Sequence, residues 1–319
     1  MKAAIYYRPG EPDELRYVDV PEPQAGEGEL LIRVEAISIE GGELLARRYM
    51  DPGSPPGVPG YSAAGEVIAV GANVTEFAAG DKVTSFAFQG AYAELRAVPA
   101  SACWKLPEGL DMDLAATVPV AFGTAALALN LAGLKQGEAM LLQGAGGGVG
   151  IAAIQLARLA GAKVIGTGRR IEALESLRAY GLDHALVIGD EPVKAQVERI
   201  LGGRGADVLV DNVGGSAFQD GLDALRDGGR AVIVGIAGPG EKTIDTTQIL
   251  ARRLSVFGCF LGPIMYEPPQ RAMIADALAK AAAGQLVMPI DATFPLSDAA
   301  EGHRRAEVPG RTGRIILKP

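Results

Sequence analysis

Two rhythms of apolar and polar positions divide the chain. Up to about residue 119, short stretches cut by Gly and Pro predict strands at 30–36 and 65–70. The opening Met-Lys-Ala-Ala-Ile-Tyr-Tyr-Arg reads as another strand, and a turn at 80–81 leads into one that ends at Phe86. Segment 51–60, Asp-Pro-Gly-Ser-Pro-Pro-Gly-Val-Pro-Gly, is predicted to be an extended loop, because its prolines and glycines block both helix and ladder. From about 122 to 262 the pattern changes to unbroken apolar runs separated by helical periods. Such runs suit strands buried on both faces, here at 139–143, 163–167, 185–188, 207–211, 230–234 and 254–260. Helices fall between them, for example at 216–226. Strand and helix in alternation predict a doubly wound parallel sheet, with ligand at the carboxyl ends of its strands. Residues 263–319 add helices at 270–283 and 297–305 and a last strand, 313–317, expected to return to the first domain.

The carboxyl ends carry the candidate chemistry. After the strand 139–143 comes Gly144-Ala145-Gly146-Gly147-Gly148-Val149-Gly150, then an uncharged helical segment. The dinucleotide fingerprint G-x-G-x-x-G/A fits as Ala145-x-Gly147-x-x-Gly150, with Ala in the first place. Gly147 would admit a pyrophosphate to the backbone, Gly150 would let helix and strand pack closely, and the helix N-terminus would hold the phosphates. No Gly-Lys-Ser/Thr follows, which argues against a triphosphate-binding loop. A glycine turn of some other α/β protein is the alternative, and the next strand bears on it. That strand ends in Thr167-Gly168-Arg169-Arg170, where an NAD site needs a carboxylate for the ribose 2′-OH. Two guanidinium groups instead suit a 2′-phosphate and favour NADP(H); the plainer alternative is a solvated pair capping the helix 171–180. Asn212-Val213-Gly214 and Gly235-Ile236-Ala237-Gly238 end two further strands with the small residues that close backbone approach requires.

Composition narrows the partners. The 319 residues are 48% hydrophobic and 21% charged, enough for two domains with sizeable cores. A net charge of −8 argues against nucleic acid or an anionic membrane as partner. Cys103 and Cys259 stand far apart without metal or disulfide spacing, which fits a reducing, cytoplasmic setting. No secretory signal is read at the start. Windows 114–134 and 139–157 lack charge and approach the ~20 residues of a membrane span, but Pro119, Gly123, Asn130 and the glycine cluster interrupt them, so both read as core. With two Cys and only His184 and His303, both remote in sequence from the candidate site, no metal centre is expected. Glu40 and Glu43 read as a solvated pair.

Taken together, Val34-Glu-Ala-Ile-Ser38, 59–67 (Pro-Gly-Tyr-Ser-Ala-Ala-Gly-Glu-Val), Val70-Gly71, Gly80-Asp-Lys-Val83, Gly90-Ala-Tyr-Ala-Glu94, Thr124-Ala125, 144–150 and 313–317 resemble the medium-chain dehydrogenase/reductase superfamily. Within it the chain is similar to the zinc-free quinone oxidoreductases of the zeta-crystallin type. The resemblance implies an α/β fold with a doubly wound parallel Rossmann sheet at 122–262. It also implies a β-rich GroES-like catalytic domain made of 1–121 and 263–319. It points to Thr124, the turn Gly144 to Gly150, Thr167 to Arg170, Asn212, Val213, Gly235, Ile236, Phe260 and Leu261 as contacts for NADP(H). Tyr49 and Tyr61 are the candidate proton donors or oxyanion stabilisers. Glu40 would face the nicotinamide if it follows the family's Asn.

The chain also departs from the pattern. Zinc-dependent relatives place Cys near 40 and His-Glu near 61–62, where Glu40, Tyr61 and Ser62 stand here. Quinone reductases usually have Asn at Glu40 and Glu at Ser62, and the tyrosine expected within 187–190 is missing. The implied reaction is hydride transfer from NADPH to a quinone, or alternatively to an activated C=C bond of an enone, enal or enoyl thioester. A nucleotide-binding structural or RNA-binding role is the third reading, and the acidic charge speaks against it. The acceptor is expected between the domains, near Glu40, Tyr49, Tyr61 and 260–264, with the Glu40 charge disfavouring anionic acceptors. An apolar edge strand at 254–260 is expected to join two copies into a homodimer.

Overall fold

A computed structural model of the protein describes residues 1–54 and 56–319. They form two compact units, one of Met1–Val120, Gly262–Pro309 and Gly313–Pro319, the other of Ala121–Leu261 with Gly310–Thr312.

The second unit is built on six strands, all paired in parallel. Their order across the sheet is His184–Val187, Lys163–Gly168, Ala139–Gln143, Ala206–Asp211, Leu225–Ile233 and Ser255–Gly258. Every residue of Ala139–Gln143 and Ala206–Asp211 is buried, which explains their unbroken apolar sequence. These two strands are neighbours, so the order reverses between them and opens the crevice where such sheets take ligands. Leu225–Ile233 starts earlier than the expected 230, across a register irregularity opposite Ala206–Val208. The outer strand, Ser255–Gly258, is shorter than the expected 254–260; its start is set by Arg253, which caps the preceding helix in a left-handed conformation (φ 54°).

In the first unit the main sheet runs Ile290–Pro295, Arg314–Lys318, Glu29–Ser38, Ser62–Val70, Lys82–Phe86 and Cys103–Lys105, with Leu95–Pro99 also paired to Glu29–Ser38. The last strand of the chain is antiparallel to Glu29–Ser38 and parallel to Ile290–Pro295. Ile37, Ile39, Tyr92, Leu296, Ile315 and Leu317 pack in one buried cluster behind it. The helix Gly41–Tyr49 and the strand Ile290–Pro295 were not expected from the sequence. Within the predicted loop 51–60, Pro55 lies outside the described residues. Met112–Ala132 is long and apolar enough to cross a membrane, and 61% of that stretch is buried. Its middle, Val118–Phe122, is a π-helical turn at Pro119, whose ring has no N–H to give the ordinary ladder. The window 139–157 is a strand, a turn and a helix.

One of the tight points in the second unit is Gly150. A Cβ there would lie 2.5 Å from the Ala145 carbonyl oxygen and 2.6 Å from that of Gly144. Both are backbone atoms, so neither can swing aside. Gly150→Ala should therefore cost ~1–3 kcal/mol through overpacking, seen as a lowered melting temperature. An unchanged melting curve would show that helix and strand are not so closely packed.

Candidate functional site

Each unit holds a group of candidate residues of its own. In the second, the helix Gly148–Leu159 starts at Gly147, and no side chain caps its free N–H groups. Gly144 turns the chain with φ +70°. Two other strand ends meet backbone on backbone: a Cβ on Gly235 would sit 2.0 Å from the Asn212 oxygen, and one on Gly214 2.6 Å from the Gly235 oxygen. Asp211, fully buried, fastens this corner by accepting from the N–H groups of Val213 (2.8 Å) and Gly214 (2.9 Å). Burial raises its pKa, the two N–H donors opposing. Arg169 and Arg170 are exposed at the end of Lys163–Gly168. Arg170 begins the next helix without a side-chain cap bond, and its stem lies against Gly310. Val149 is half-buried and Thr124 stands in the first turn of Gly123–Ala132, where its carbonyl faces Cys259 Sγ at 3.7 Å. Ile236 and Phe260 are exposed, whereas Leu261 is buried in the core.

In the first unit the structure corrects the reading of the acidic pair. Glu40 and Glu43 are 2% and 3% exposed, not solvated. Glu40 is the N-cap of Gly41–Tyr49 and is ion-paired with buried Arg314 at 2.5 Å, while Ser38 Oγ donates to it at 2.9 Å. The expected repulsion of anionic acceptors assumed an unpaired charge; Arg314 removes that premise. Glu43 accepts from the N–H groups of Glu40 (3.1 Å) and Tyr61 (2.5 Å) and from the Tyr92 hydroxyl (2.6 Å). Tyr92 also meets His303 Nε2 at 2.8 Å, so this histidine, remote in sequence, is three hydrogen bonds from Tyr61. Ser62 Oγ donates to the Ala116 carbonyl at 2.7 Å and is spent inside the fold.

Tyr61 stands edge-on to Phe88 (5.5 Å between centroids) and Phe86 (6.0 Å), and Phe86 lies 6.4 Å from Tyr266. Burial and then Glu43 push its phenol up to about 12, so it keeps its proton. Tyr49 ends its helix 71% exposed.

This arrangement has close relatives. Residues 26–108 match the alcohol dehydrogenase GroES-like domain family, and 148–280 match the zinc-binding dehydrogenase family. The chain is 31% identical to the quinone oxidoreductase of Homo sapiens, over 99% of its own length and 97% of the relative's. The chain belongs to the medium-chain dehydrogenase/reductase superfamily. Its place there is the zinc-free, quinone oxidoreductase-like branch. Another member, the 2-haloacrylate reductase of a Burkholderia species, is 31% identical over 99% of this chain and 98% of its own. A mycobacterial protein solved in complex with NADPH superposes with a TM-score of 0.93 at 29% identity, each chain covered in full.

A dinucleotide fits what this oxidoreductase presents. Gln143 Oε1, Thr167 Oγ1 and Asn212 Oδ1 are buried without hydrogen-bond partners, all three at carboxyl ends of strands. Native interiors rarely leave such atoms unpaired, and a polar ligand at this edge would pair them. The zinc in the second family's description fits less well: among the described residues no three His, Cys, Asp or Glu side chains come together. Sequence reasoning gives no role to Asp211, Gln143, Tyr92, Arg96 or Arg314, and misreads Glu43 as solvated and His303 as remote. An Asp closing an apolar strand before Asn-Val-Gly-Gly is a turn signal that could have found Asp211.

Removing the cation beside buried Glu40 should be expensive. Arg314→Met is expected to destabilise the fold by ~3–5 kcal/mol, and adding Glu40→Gln should restore part of it. Equal melting temperatures for parent and single variant would mean the ion pair contributes little.

Proposed function

We propose that this medium-chain reductase transfers hydride from NADPH to a quinone, without a metal. The observation that carries the cofactor choice is the Arg169-Arg170 pair, exposed at a strand end that lacks the carboxylate an NAD site needs. The NADPH complex of a full-length structural neighbour supports it. On this reading the N–H groups at the start of Gly148–Leu159 and the unpaired side-chain oxygens of Gln143, Thr167 and Asn212 hold the dinucleotide, which supplies hydride when bound. Tyr61, with its proton retained, would donate a hydrogen bond to the acceptor oxygen. The aromatic group of Tyr61, Phe86, Phe88 and Tyr266 suits a planar acceptor. A second reading, reduction of an activated C=C bond, is favoured by the similarity to 2-haloacrylate reductase.

Loss of NADPH absorbance against a panel of quinones and enones, with a chelator present, tests these readings together. Quinones should be the faster acceptors; faster turnover of the enones would favour the second reading, and dependence on added zinc would sink the metal-free one. Replacing both arginines should raise the NADPH KM by about tenfold or more, since charge-assisted phosphate contacts are worth ~1.5–3 kcal/mol each. The NADH value should hardly move. A parent enzyme that takes NADH as readily as NADPH would refute the assignment.

The outer strand Ser255–Gly258 supports pairing of two copies across that edge in a cytoplasmic homodimer. Light scattering should give twice the 33.0 kDa chain mass; the monomer mass at micromolar concentration would exclude it.

A further inference from the structure

The Tyr61 peptide is gripped at both ends by buried charge. Its N–H donates to Glu43 Oε1 at 2.5 Å, and its carbonyl accepts from Arg96 Nη2 at 2.9 Å. Arg96 is 1% exposed and also donates to Ser85 Oγ (2.9 Å), Ala87 O (3.3 Å) and Gln89 O (2.9 Å). One guanidinium thus fixes both Tyr61 and the segment that carries Phe86 and Phe88. Bonds to ionised groups are roughly twice as strong as neutral ones.

Behind Glu43 the protons can be placed in only one order. Burial, with Arg47 nearby, holds the pKa of His303 down to about 3, so its ring is neutral and has one N–H. Arg47 Nη1 can only donate, and it faces His303 Nδ1 at 3.5 Å. The ring proton is therefore on Nε2 and points at the Tyr92 oxygen, 2.8 Å away. Tyr92 must then direct its own proton to Glu43 Oε2 at 2.6 Å. Together with Tyr61 N–H and Glu40 N–H, three donors converge on Glu43. A carboxylate satisfies all three. A proton on Glu43 gives this chain of bonds one hydrogen too many, and Arg47 prevents the imidazole from reversing its tautomer.

The other charged groups around Glu43 have partners of their own. Glu40 is paired with Arg314, and Arg47 with Glu307 at 2.7 Å. Tyr6 is a buried phenol facing Arg47, and its pKa is raised by burial. Burial, and then the Glu40 charge, push Glu43 up to about 7 in spite of its three donors. The grip on Tyr61 is therefore strongest above that pH and weakens as pH falls through it.

We propose that Glu43 is a positioning residue for Tyr61: ionised, with its other oxygen held by the Arg47–His303–Tyr92 relay, it grips the Tyr61 N–H, and protonated, it loosens that grip. Proton uptake one layer behind the site would then detune the reductase. The inference rests on the reading that Tyr61 serves the acceptor.

Tyrosine amide signals of the full chain, labelled with nitrogen-15 and saturated with NADPH, provide the test. The chain has 8 tyrosines, so the spectrum is small, and Tyr61→Phe identifies the signal in question. The Tyr61 amide proton should lie far downfield in alkali and move upfield with a midpoint of about 7. Tyr92→Phe, which removes one donor to the carboxylate, should move that midpoint upward, and Glu43→Gln should abolish it. Over the same pH series, kcat/KM for the acceptor should fall about tenfold below the midpoint while the NADPH KM holds steady. A Tyr61 amide that does not titrate across the neutral range overturns the proposal, whatever Tyr61 does in the reaction. An amide that titrates while kcat/KM stays level overturns its functional half. Full acceptor activity in Tyr61→Phe overturns the underlying reading instead, and leaves the titration standing.

Discussion

No side-chain atom fits at residue 150, and the form of the second unit follows from that. The helix Gly148–Leu159 can lie against the turn it springs from only because Gly150 brings no side chain toward the carbonyls of Gly144 and Ala145. Its N-terminus is thereby held at the carboxyl edge of Ala139–Gln143. The same device recurs where Gly214 and Gly235 bring two strand ends into backbone contact. This edge is shaped by removing side chains. The side-chain oxygens left inside it, on Gln143, Thr167 and Asn212, find no hydrogen-bond partner in their own fold.

The other unit is shaped in the opposite way, by burying charge. Arg314, Glu40, Glu43, Arg47 and Arg96 are each under 5% exposed, and each fastens backbone or another charge. Such groups are costly to desolvate and are weak grounds for claiming stability. What they supply here is position. The contacts join segments 256 and 276 residues apart, Arg47 to His303 and Arg314 to Ser38, so the first strands and the last helix and strand share one polar frame.

That contrast explains what the sequence could reveal. The parallel sheet is encoded in local runs, and its six strands were found within a few residues except where a bulge or a left-handed cap moved an end. The helix Gly41–Tyr49 escaped notice because the face it buries carries Glu43 and Arg47, one turn apart. Apolar periodicity does not register a polar face. Glu40 looks like a solvated charge in the sequence, and His303 like a remote one, for the same reason. A single sequence shows a charge but not the partner hundreds of positions away that makes its burial tolerable.

A pKa pushed up to about 12 also limits what Tyr61 can be on the reading proposed above. A general acid works best when its pKa lies near the operating pH, and this phenol is far above it. Giving up its proton would leave a phenolate beside the Glu43 charge. Its useful chemistry is therefore to hold a hydrogen bond to developing negative charge, with the proton of the product coming from elsewhere. A donor of that kind acts through direction and distance, and small displacements weaken it. In such a site the buried charges that fix the Tyr61 peptide matter to the rate as much as the phenol itself does.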